Sequence, residues 1–330
     1  MTLLRLHHLL GLVLAFCLLA CDNPYSPSDD DSSTPGQTNK PSAKAFTIDI
    51  AGVADAQYGD TPIQQTRANP TEKTQARTAR ADKAQTALKD VCTQVVIAVY
   101  GADHAKVSEV AQNMSDANFG HASVEVPNGT YTVVVIAHNG STKPVMTKPD
   151  RITFGGKLTD TFYCCQEVTA AEGQSVTLVL TRAVALLRLQ TNDATPANIS
   201  TMRLYYTGGS STFNALTGQG CVNSKQTEER AVPATAYSQA ACYDAYTFPR
   251  DDSEALNVTA SALDKGGTAI FVREFKAVPI ERNRISLLEG KFYGESAEGA
   301  RSSFDISIDS EWNSTLHFTY GDGSCDFSEI

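Results

Sequence analysis

Phe46-Thr47-Ile48-Asp49-Ile50 switches between apolar and polar residues one position at a time. Successive side chains of a strand point to opposite faces, so this pattern makes a half-buried strand and not a helix. The same signal returns along the chain. "CTQVVIAVYG" (Cys92–Gly101) reads as a more deeply buried strand. "ASVEVPNGTYTVVVIAHN" reads as a hairpin: Val124 and Val126, a Pro127-Asn128-Gly129 turn, then Tyr131, Val133 and Val135. Proline at the first turn position and glycine after it suit the dihedrals of such a turn. "QSVTLVLTRAVALLRLQ" follows, with a domain junction expected near Arg182. Beyond it, "ISTMRLYYTG", "ALNVTASALD", "TAIFVREFKAVPI", "RISLLEGKFYG", "SSFDISID" and "STLHFTY" are strands at roughly regular spacing. Short strands between turns, with no βαβ rhythm, predict an all-β fold of two antiparallel β-sandwich domains, residues 44–182 and 183–330.

The segment Ala68–Asp90 departs from this style. It is polar and alanine-rich, with Asn69 as a helix cap and Pro70 as an opening residue. Its apolar face is thin, so it is either a marginal surface helix or a long exposed loop. Arg67, Arg77 and Arg80 lie in or beside it, and such a segment invites proteolysis.

The N-terminus has another logic. One firm positive charge, Arg5, precedes the apolar run Leu9–Ala20, which is too short to span a bilayer as a helix. Residues 1–20 therefore read as a signal peptide, cut between Ala20 and Cys21. "LLAC" resembles the lipobox of bacterial lipoproteins, in which the cysteine carries the lipid. Two or more acyl chains hold a protein firmly to a membrane, at about 0.8 kcal/mol per buried CH₂. Cys21 would then anchor a soluble body through residues 21–43, a disordered tether of prolines, serines and acids. Its "SDDD" is similar to the export signals of surface lipoproteins in Bacteroidota.

A net charge of −10 over 330 residues gives nucleic acid no electrostatic foothold. Export permits disulfides among Cys92, Cys164, Cys165, Cys221, Cys242 and Cys325. Cys221 with Cys242 is the favoured bridge, closing a polar loop. Adjacent Cys164 and Cys165 have Cα atoms about 3.8 Å apart, too close for an unstrained bond. Cys92 lies in an apolar run and reads as a buried small hydrophobe. No catalytic constellation emerges. His104, His121, His138 and His317 lack zinc-site spacing, "TGGSST" lacks a nucleophile elbow, and "YGDGSCD" lacks calcium-loop spacing. A non-enzymatic protein without cofactor or metal is expected.

Four stretches carry a family resemblance: "VPNGTYTVVVIAHN", Arg182 before Ala183-Val184-Ala185, "VPIERN" (Val278–Asn283) and Phe304–Trp312. In this order, behind a lipobox, they resemble the Bacteroidales fimbrillins, and more narrowly their FimB/Mfa-type fimbrial anchor lipoproteins. The resemblance implies transthyretin-like sandwiches, lipid attachment at the outer membrane and assembly into surface fimbriae with other subunits by β-strand addition. In polymerising members an Arg-specific protease removes the first strand. Here that strand would be "AFTIDIAGV", with Phe46, Ile48 and Ile50 as its core-facing plugs and Arg67, Arg77 and Arg80 as cut sites. Alternatively the strand is permanent, because an anchor cut there would lose its lipid. A cleavable stalk or tip adhesin is the second reading. A surface glycan-binding lipoprotein is the third; it would need an aromatic platform, and Trp312, the only tryptophan, falls in a strand motif.

Overall fold

In the computed structural model, residues 42–54, 86–253 and 255–294 are described in full, and the strands 304–309, 316–321 and 324–328 by their backbone. The first half contributes β1 (Lys44–Val53), β2 (Gln94–Tyr100), β3 (Lys106–Asn113), β4 (His121–Val126), β5 (Gly129–His138), β6 (Val145–Lys148), β7 (Arg151–Thr153), β8 (Thr161–Ala170) and β9 (Ser175–Arg182). The second contributes β10 (Ala185–Thr191), β11 (Ile199–Thr207), β12 (Thr212–Asn214), β13 (Gln219–Gly220), β14 (Gln226–Ala231), β15 (Ala241–Thr247), β16 (Ala255–Asp264), β17 (Ala269–Pro279), β18 (Ile285–Gly290), β19 (Phe304–Asp309), β20 (Leu316–Gly321) and β21 (Ser324–Ser328). Of Ala68–Asp90, most lies outside the described residues; its end joins a single helical turn, α1 (Leu88–Val91).

The all-β expectation holds. Strands run β3-β2-β5-β8-β9-β1-β4 in the first half. β8 and β9 pair only at Phe162↔Arg182 and Tyr163↔Thr181, so the sheet folds there into two layers. Between the layers lie Ile48 and Ile50, Ile97 and Val99, Val124 and Val126, Val133 and Val135, and Leu178 and Leu180. The second half sets β14-β11-β16-β17 against β15-β10-β18-β19-β20-β21. Its core holds Leu187, Leu189, Met202, Leu204, Tyr206, Leu256, Val258, Phe275 and Leu288.

The hairpin reading of β4 and β5 is corrected. Both strands form where the alternation placed them, but β4 pairs with β1 and β5 pairs with β2 and β8. Val124, Val126, Val133 and Val135 all enter one core. The Pro127-Asn128-Gly129 turn therefore carries the chain from one layer to the other, because a flat hairpin would have put both apolar faces on one side. Two pairings depart from an antiparallel plan: β1 with β9 and β10 with β18 are parallel.

The halves are joined by a sheet to which both contribute, β13-β12-β7-β6. Phe213 of β12 pairs with Ile152 of β7. This sheet covers the outer face of β2 and β5, burying Val96, Ala98, Tyr100, Val134 and Ile136 against Met146, Ile152, Phe213 and Phe248. Ala183 and Val184, between β9 and β10, are fully buried in the same cluster. Pro41–Ile330 forms one compact unit.

The Cys221–Cys242 bridge is also corrected, since both thiols are free. Cys221 follows β13 in the shared sheet and its Sγ lies 3.7 Å from the Thr212 carbonyl. Cys242 sits on β15, its Sγ 3.5 Å from Gln190 Oε1. The polar loop is not closed on itself, because its two ends belong to different sheets. Cys164 and Cys165 are free as well, and alternation sends one toward each core. Cys92 is buried, and burial pushes its thiol up to about 12.

Candidate functional site

The expected exchangeable strand occupies a slot with a strand on each side. β1 is antiparallel to β4, with Phe46 opposite Val124 and Ile48 opposite Ala122. It is parallel to β9, with Ile48 opposite Val176 and Ile50 opposite Leu178. Period-two alternation sends Phe46, Ile48 and Ile50 inward, and their exposures fall to 3%, 0% and 7%. The next residues would lose this phase, but a bulge between Ile50 and Gly52 restores it and returns Val53 to the core. Gly52 takes φ 150° there. Each buried side chain of this size contributes about 1.5–3 kcal/mol of transfer free energy.

Both ends of the strand are fastened. At the start Thr47 N–H donates to the Gln174 carbonyl at 3.1 Å, and at the end Ala54 N–H donates to the Leu180 carbonyl at 2.9 Å. Val53 and Thr86 exchange backbone bonds of 3.0 and 3.1 Å. On the outer face Asp49 Oδ1 lies 2.8 Å from His121 Nδ1, and Lys44 pairs with Glu172. Those surface pairs add little beside the buried face. Chemically the arrangement is a backbone-bonded slot: emptied, it would present Val124, Ala122, Leu178 and Leu180 along unpaired strand edges.

A second constellation unites motifs distant in sequence. Arg182, 3% exposed, donates to both carboxylate oxygens of Asp160 at 2.7 and 2.9 Å and to Asn283 Oδ1 at 2.8 Å. Its guanidinium also stacks 4.8 Å from the Phe162 ring centroid. Asn283 N–H donates to the Val184 carbonyl, with φ 61° at Asn283. Arg282 donates to Tyr163 Oη at 2.6 Å, across the junction of the halves. The basic residue at the junction and the "ERN" stretch thus form one polar clamp. Its acidic member, Asp160, gave no sequence signal, because it lies in an ordinary loop. Ala20, Cys21, Arg67, Arg77, Arg80 and Trp312 lie outside the described residues.

A family model spans residues 59–323, well over half of the chain. The chain belongs to DUF6562, a family of unknown function. No curated protein matches this DUF6562 chain in sequence. Among solved structures, the fimbrial anchor protein Mfa2 from Porphyromonas gingivalis is similar at 10% identity and a TM-score of 0.43, over 84% of this chain and 100% of that one. A fimbrial assembly protein from Parabacteroides distasonis is similar at 12% identity and a TM-score of 0.43, over 83% and 98% of the two chains. A candidate adhesin from Bacteroides ovatus is similar at 8% identity and a TM-score of 0.48, over 80% and 93%. Likenesses of this degree carry no functional weight, and the sandwich architecture stands on the strand pairings themselves.

Proposed function

We propose that this DUF6562 chain is a non-enzymatic surface lipoprotein, lipidated at Cys21, that serves as an anchor component of fimbriae and engages other subunits by β-strand addition. The observation that carries the strand-addition reading is the seating of β1, which an uncut anchor would keep and a stalk subunit would lose on cleavage. It fills the slot between β4 and β9 with Phe46, Ile48, Ile50 and Val53 buried, and it is fastened at Ala54 and Val53. A subunit whose own strand completes its core keeps the chain continuous from tether to body. An emptied slot would suit a stalk subunit cut at Arg67, Arg77 or Arg80. The order of the fimbrillin-like stretches, and the meeting of two of them at the Arg182 clamp, support the family reading.

The test is mass analysis and N-terminal sequencing of the protein from intact cells, with labelled palmitate. The expected product begins at acylated Cys21, retains Phe46–Val53 and co-purifies with filaments. A new terminus following Arg67, Arg77 or Arg80 would instead make it a polymerising subunit. A product with neither lipid nor filament association would end the fimbrial reading.

A further inference from the structure

The two halves repeat one strand plan. In the first, β3-β2-β5-β8 faces β9-β1-β4; in the second, β14-β11-β16-β17 faces β18-β10-β15. The opening strand of each half lies between an antiparallel neighbour and a parallel closing strand. The halves differ on the far side of that closing strand. β18 pairs antiparallel with β19 along its whole length, from Ile285↔Asp309 to Gly290↔Phe304. β9 meets β8 only at Arg182 and Thr181. From Ser175 to Leu180 its far side has no strand partner among the described residues.

The main-chain groups on that side can be named. The carbonyls of Gln174 and Leu180 accept from Thr47 and Ala54, on the β1 side. Backbone direction alternates along a strand, so the N–H and C=O groups of Ser175, Thr177 and Val179 point away from β1. Proteins usually guard such edges with charge. Other outer strands here follow that rule: β3 carries Lys106 and Glu109, β4 His121 and Glu125, β14 Glu228 to Arg230, β17 Arg273 to Lys276. Ser175–Thr181, "SVTLVLT", holds no charge, and Val179 on its outer face is 36% exposed.

We propose that the far edge of β9 receives an antiparallel strand from a neighbouring protein chain while β1 stays seated. The occupant is an extended, proline-free segment of about six residues with apolar side chains at alternate positions, the pattern of an added strand whose one face meets a core. Its form is set by β19, whose register places Phe304, Ile306 and Ile308 opposite Gly290, Leu288 and Ser286. On β9 the corresponding inward positions are Val176, Leu178 and Leu180. This inference rests on the reading of a strand-adding surface protein, and it names where the strand is added: beside the closing strand, with no strand removed.

The probe is a fluorescent peptide with the sequence of Ser303–Ser310, with a scrambled peptide as control, added to the full chain lacking only residues 1–20. The peptide should bind, and the scrambled one should not. Amide exchange at Thr177 and Val179 should slow on binding, while Leu178 and Leu180, bonded toward β1, stay slow throughout. Val179→Lys, on the outer face, and Thr177→Pro, which removes an N–H aimed at the edge, should each weaken binding at least tenfold with an unchanged circular dichroism spectrum. Ile270→Lys on β17 should leave binding intact. Absence of peptide binding would overturn the proposal. So would binding that Val179→Lys leaves unchanged, which would put the peptide elsewhere, for instance in the place of β19 beside β18. Neither result touches lipidation or filament association, so the two readings fail separately.

Discussion

Arg182 shows what a single buried charge demands. Burial of a guanidinium is costly unless every face of it is answered. Here Asp160 takes two of its donors, Asn283 a third, and Phe162 its flat face. Arg182→Met leaves the Asp160 carboxylate without its partner in a half-buried site, and should cost about 3–5 kcal/mol of stability by urea denaturation. Adding Asp160→Asn to that variant should recover part of the loss; a further loss would contradict the ion-pair account. His138 makes the complementary case of a buried neutral group. Its Nδ1 accepts from Gly140 N–H at 2.9 Å, so its proton sits on Nε2, which is buried without a partner among the described residues. Burial lowers its pKa. The unfolded state, titrating near about 6.5, then binds more protons than the folded state in mildly acid solution. The stability that His138 contributes is full above that pH and is lost as pH falls toward the folded value. In His138→Gln the fall in unfolding free energy from pH 7 to pH 5 should be shallower than in the parent. An equal slope would remove His138 from the acid response.

At the scale of elements, alternation was a good guide to what forms and a poor one to what pairs. β1, β9, β11 and β16 appear where apolar residues recur every second position, because that period alone fixes which side chains can share a face, and β2 appears where the run is apolar throughout and both faces are buried. β8 gave a weaker signal, since "TFYCCQEVTA" serves two cores and turns both faces toward apolar partners. β12 and β13 are too short to show a period. The β4–β5 turn was misread because its residues define a reversal without saying whether it lies within a layer or between layers. Of the candidate site, the inward set Phe46, Ile48 and Ile50 was legible; the parallel partner β9, far along the chain, was not. These facts give β1 a sharp asymmetry. Ile48→Ala, at a fully buried position, should cost about 2–5 kcal/mol in chemical denaturation. Thr47→Ala, on the outer face, should stay within about 0.5 kcal/mol of the parent. Equal effects would mean that β1 does not complete the core in solution.

At the scale of the molecule, the strand plan is repeated but the repeats are not independent. The insertion β6–β7 in the first half and β12–β13 in the second pair with each other, so the second half supplies part of what covers the first. Rings continue the joint: Phe154 lies 5.3 Å from Phe248, Phe248 4.8 Å from Phe213, and Phe213 4.9 Å from Tyr163 by centroids. Such a joint couples one sandwich to the other through packed side chains as well as through the covalent connection. It also decides how the chain should unfold. Phe213 belongs to the second half but is fully buried against Val96, Ala98, Val134 and Ile136 of the first. Phe213→Ala should cost about 3–5 kcal/mol. The loss should register as faster amide exchange in β2 and β5 as well as in β12, because the cavity opens beneath both halves. If exchange quickened only in the second half while β2 and β5 kept their protection, the shared sheet would be a contact between two self-sufficient sandwiches, coupled through the Arg182–Ala185 connection alone.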